Sequence, residues 1–116
     1  MDWTLWNWPF FEPHHQRLAD RVAEWKSPID DHAVTEDTLP GACRAIADSL
    51  ARAGLLDLVV PQEGDRIDLR SVCIAREGIG YRSALADCVI AMQGIGAGAI
   101  ALEGSAAQRE LLGAFR

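Results

Sequence analysis

The stretch ALADCVIAMQGIGAGAIALEG, Ala84–Gly104, decides the fold of this chain. Between Asp87 and Glu103 it carries no charge and consists mostly of alanine, glycine and branched aliphatics. Such a surface is expected to be covered on nearly every side, so the stretch is predicted to form the centre of the core. As a membrane span it falls short of about 18 to 20 consecutive apolar residues, is rich in glycine and is bounded by acids. As a nucleotide loop it offers Gly94, Gly96 and Ala99 in the pattern G-x-G-x-x-[GA], with Cys88–Met92 as a short preceding strand. A dinucleotide fold also needs a second strand and an acid about 20 positions further on, and the sequence to Arg116 supplies neither. A buried helix fits best. Gly94 and Gly98 stand four apart, as do Ile95 and Ala99, with Ala91 one turn before Ile95, so one face is nearly bare. Glycine inside a helix costs roughly 1 kcal/mol relative to alanine, which is tolerable where another backbone or a ligand comes close. Both a packing contact and a ligand wall stay open at this point.

Outward from this helix, the sequence reads as one helical domain over residues 1–116. The 116 residues are large enough for a single core, and 49% hydrophobic with 24% charged residues is ordinary for a globular protein. A net charge of −6 without clustered Lys or Arg argues against a nucleic-acid or anionic-membrane surface. Cys43, Cys73 and Cys88 show no CxxC spacing and fall in helical stretches, so they are expected to be reduced core residues. Met1–Phe11 has no basic start, and its aromatic cluster is broken by Asn7 and Pro9, unlike a signal peptide. A cytoplasmic location is the expectation.

Residues 1–9 form a tryptophan-rich stretch expected to lie as an extended arm. Glu12-Pro13 opens a first helix with Leu18, Val22 and Trp25 on one stripe, and Ser27-Pro28 closes it. Ile29–Asp37 reads as a solvated acidic linker. His32 beside Asp30 and Asp31 has no second ligand cluster at metal spacing, and His14 and His15, being adjacent, are expected to point apart. No metal site is expected. Thr38 and Pro40 start a second helix along Cys43, Ile46, Ala47 and Leu50, and Gly54 ends it. LLDLVVP is predicted to be a buried connector that Pro61 keeps from becoming a strand, and Gln62–Ile67 a turn. Asp68 caps a third helix whose inward face is predicted as Leu69, Val72, Cys73 and Ile79, with Arg70, Arg76 and Glu77 outward. A fifth helix, Ala106–Phe115, turns Leu111, Leu112 and Phe115 inward. Strand alternation is missing throughout, so the fold class is all-α, a compact bundle of about five helices.

In order, FFEPHHQRLADRVAEW, LARAGLLDLVVP, DLRSVCIAREGIGYRSALAD and AMQGIGAGAIALEGSAAQRELL resemble the N-terminal helical domain of acyl-CoA dehydrogenases. The most specific pieces are the connector Ala53–Pro61 and the G-S-x-x-Q pattern from Gly104 to Gln108. The resemblance implies an enzyme in which a glutamate takes the α proton of an acyl-CoA thioester while FAD accepts a hydride from Cβ. It implies a β middle domain and a C-terminal helical domain, missing here or supplied by a partner subunit, that hold most of the flavin and the catalytic glutamate. No carboxylate of this chain, Glu77 and Glu103 included, is therefore expected to be catalytic, and no FAD is expected on this chain alone. The positions matching the family's acyl-pocket wall are Asp87, Cys88, Ala91, Met92 and Ile95. Acyl-CoA as substrate and a homo-oligomeric assembly are implied as well. A non-catalytic helical interaction module, with Gly94 and Gly98 packing between chains, is the competing expectation.

Overall fold

The computed structural model describes residues 8–61 and 66–115. Its five α-helices are α1 (Pro13–Glu24), α2 (Leu39–Arg52), α3 (Leu69–Gly80), α4 (Ala84–Glu103) and α5 (Ala106–Glu110). Short 3-10 turns at Asp31–Ala33, Leu56–Leu58 and Leu111–Phe115 join or extend them. No strand occurs among the described residues, and the fold is all-α as expected. The predicted arm lies outside the described residues up to residue 7, and the predicted turn does so for residues 62–65.

Pro13 sits in the first turn of α1, where its missing N–H leaves no bond unmade. His15, Leu18, Ala19 and Val22 recur at helical spacing and are buried. Trp25 follows them into the core and donates its indole N–H to Ser49 Oγ at 3.2 Å, tying α1 to α2. On α2 the buried residues are Ala42, Ile46 and Leu50. The helix ends through Gly54, whose φ of +64° only glycine adopts cheaply. Gly54 N–H donates to Ala51 O at 2.8 Å and Leu55 N–H to Leu50 O at 2.9 Å, a paired closure that satisfies the last carbonyls. Leu50 and Leu55, the residues joined by the longer loop, are both fully buried. The connector then runs through the core as predicted, with Val59, Val60 and Pro61 buried.

Three expectations are corrected. On α3 the inward residues are Ser71, Ile74, Ala75, Gly78 and Ile79, whereas Leu69 is 71% exposed, Cys73 is exposed and Val72 is half-buried. The small residues Ser71, Ala75 and Gly78 suit close approach to another helix, and that preference overrides the larger apolar residues. Next, α5 stops at Glu110 and gives way to the 3-10 turn; Leu112 is buried but Leu111 is exposed, and the Phe115 side chain lies outside the described residues. Finally, α4 is not covered on every side. It buries Ala86, Val89, Ile90 and Ala97, while Met92, Ile95 and Leu102 are 60%, 68% and 78% exposed.

The shape accounts for this last difference. The molecule is a slab with extents of 42 × 39 × 18 Å and a radius of gyration of 14.8 Å. A compact domain of this length would have a radius of roughly 13 Å. In so thin a body α4 packs against α2 and α3 from one side only, and its other side is open.

Candidate functional site

The open side of α4 is the candidate site, and its frame is built from polar contacts at the start of the helix. Ser83 accepts the Ala86 N–H at 3.0 Å and donates its hydroxyl to Asp31 Oδ1 at 2.7 Å. The Leu85 N–H donates to Asp31 Oδ2 at 3.0 Å, so a residue from the loop after α1 helps cap α4. Burial pushes the Asp31 carboxyl up, but hydrogen bonds from Leu85, Ser83 and Ala84 outweigh it and hold the group below its ordinary value. One turn into the helix, Asp87 receives Arg76 Nε at 2.8 Å and the second guanidinium nitrogen at 2.7 Å, a two-pronged clamp between α3 and α4.

Beyond Asp87 the outward face carries no charge until Glu103. Cys88, Met92 and Ile95 are exposed along it at helical spacing, followed by Ala99 and Leu102, with Ala91 half-buried at its margin. From Cys88 to Leu102 this stripe runs about 21 Å at the helical rise. Of the five residues anticipated at a pocket wall, the structure places Cys88, Ala91, Met92 and Ile95 on or beside one surface. Asp87 stands apart, committed to Arg76. Against the expectation that the run is too short to span, α4 is long and apolar enough by length and composition to cross a membrane. Only 22% of its apolar window is buried, unlike the core helix of a soluble protein; a single helix of this kind is weak evidence for a span. Its segment Cys88–Met92 is helical, which removes the strand that a dinucleotide fold would require.

The bare face resolves into two different situations. A Cβ added at Gly94 would lie 3.1 Å from Val59 Cβ, so this glycine lets the buried connector approach the helix. At Gly96 and Gly98 an added Cβ would meet nothing within 4 Å. Gly94 thus serves packing within the chain, and Gly98 does not continue that contact.

A second cluster contradicts the expectation that His14 and His15 point apart. Both rings reach Asp68 Oδ2, His15 Nε2 at 2.7 Å and His14 Nε2 at 3.3 Å, with ring centres 3.9 Å apart. Ser71 Oγ donates to the same oxygen at 3.2 Å. Arg70 gives its backbone N–H at 3.1 Å and its Nε–H at 3.2 Å to Asp68 Oδ1. Burial pushes the Asp68 carboxyl up, yet the bonds from His15, His14 and Arg70 hold it well below the usual carboxylate range.

The three side chains are close enough to surround an ion. Their hydrogen bonds oppose that use. His15 is fully buried and its Nδ1 accepts the Glu12 N–H at 2.9 Å, which assigns the proton to Nε2 and leaves that nitrogen no lone pair for a metal. The Arg70 guanidinium beside the carboxylate adds a competing positive charge. The cluster instead joins the starts of α1 and α3. No signal local to either stretch could have revealed it, because the partners are 53 positions apart in sequence.

The cysteines are free, as expected, but they are not core residues: Cys43 is half-buried, and Cys73 and Cys88 are exposed. Cys73 lines an apolar groove of about 290 Å³ with Phe10, Phe11, Leu69 and Ile74. No family model matches the chain, and no curated protein matches it.

Proposed function

We propose that this chain is the N-terminal helical domain, or a separate small subunit, of an FAD-dependent acyl-CoA dehydrogenase, with the outward face of α4 as one wall of the acyl pocket. The observation that carries the reading is the uncharged stripe Cys88, Met92, Ile95, Ala99 and Leu102, left open where the resemblance puts a pocket wall. Apolar side chains here would exclude water from the acyl chain and fix its path by contact. FAD, when bound to the complete enzyme, supplies the hydride acceptor. The base and most flavin contacts come from the β and C-terminal helical domains or from a partner subunit. Acyl-CoA is the substrate, the cytoplasm suits three unpaired thiols, and a homo-oligomer is the expected assembly.

The reading predicts that the reading frame downstream encodes a β-rich segment and a further helical domain. Coexpressed with these, the chain should yield a yellow protein that dehydrogenates acyl-CoA; the purified chain alone should be colourless and inactive. In the reconstituted enzyme, Ala91→Phe should shorten the acyl path. Each buried methylene contributes about 0.8 kcal/mol, so losing two or three weakens long chains roughly 10-fold to 100-fold while sparing short ones. A uniform loss of kcat/KM over a chain-length series, with Tm lowered in parallel, would mean that Ala91 contacts a helix and not the acyl chain. A second reading, a non-catalytic helical interaction module, uses the same open face and is favoured if the neighbouring frame is unrelated and the chain binds a protein without flavin.

A further inference from the structure

We draw no further inference here: the strongest candidate, the apolar groove between the Phe10–Phe11 corner and α3 with the Cys73 thiol in its wall, carries none because nothing in the structure shows what covers it.

Discussion

The two ends of α3 border opposite kinds of surface. At its start, Asp68 gathers donors from two histidines, a serine and an arginine, and every oxygen of that carboxylate is occupied. Past its end, α4 presents about 21 Å of uncharged side chains to open space. The first region is satisfied within the chain. Leaving its acceptor out would strand a buried imidazole N–H, whereas removing a side chain from the second strands nothing. The comparison teaches that the polar groups gathered at Asp68 are satisfied within the chain, whereas the apolar side chains on the outward side of α4 are not covered by it.

The largest expected effect tests the polar cluster. Asp68→Ala removes the α3 cap and the acceptor of fully buried His15, and should cost about 3 kcal/mol. Its pH dependence has a definite sign. The folded carboxyl sits below the unfolded value of 3.8, so its contribution is present above that pH and is lost as pH falls through the folded value. Wild type should therefore lose stability on acidification below about pH 4 more steeply than Asp68→Ala. Denaturant melts at several pH values check this, and equal acid slopes would show that the cluster is not held through ionised Asp68.

An intermediate effect separates the two glycines of α4. Gly94→Ala gains up to about 1 kcal/mol of helix propensity but drives a methyl against Val59 in the packed connector, where overpacking costs roughly 1 to 3 kcal/mol. A net loss of about 1 kcal/mol is expected. Gly98→Ala meets no neighbour within 4 Å and should stabilise by about 0.5 to 1 kcal/mol. Thermal melts of the two variants should move in opposite directions. If both rise, Val59 yields at little cost and Gly94 is not a packing requirement.

How much of this was legible from sequence follows from the range of the forces involved. Local rules located several starts and stops, since Pro13 in a first turn, Gly54 at a left-handed end and Asp68 as a cap all rest on residues within one turn. Thr38, however, caps α2 with no side-chain bond, and the end of α5 came earlier than expected. The periodicity of α1 also held, because its apolar stripe is its only one. On α3 the rule failed, since Leu69 and Cys73 offered a second apolar stripe and the choice between stripes was made by small residues needing a close neighbour. Nor could the convergence of His14 and His15 on Asp68, or the reach of Asp31 to Ser83 and Leu85, be seen from spacing: those contacts exist only after the loops bring distant segments together. For α4 the sequence showed a helix apolar all round, and composition alone predicts burial; the open side reflects how few other elements the described chain has to cover it. The site residues Cys88, Met92 and Ile95 were placed on one helix by spacing, but their exposure was not.

The smallest expected change in stability tests the open surface, and it carries the largest change in association. An exposed apolar stripe of this length marks a site that something else covers, or else a liability to self-association. The isolated chain should therefore associate at modest concentration. Met92→Glu and Ile95→Glu together place two like charges on the stripe while removing side chains already mostly in solvent. Their stability cost should stay within about 0.5 kcal/mol, because neither residue is buried and no hydrogen bond depends on it. Association should fall sharply, since a partner surface would have to bury unpaired carboxylates. Sedimentation velocity over a concentration series distinguishes the outcomes. If wild type is already a monodisperse monomer at high concentration, the face needs no partner and the chain is self-sufficient. If the double variant loses several kcal/mol in denaturant melts, the side chains face the protein interior and the open side of α4 is closed in solution. A wild type that associates and a variant that is monomeric with an unchanged Tm would separate the two regions as described: polar satisfaction at the start of α3 supporting the fold, and apolar exposure along α4 reserved for what binds it.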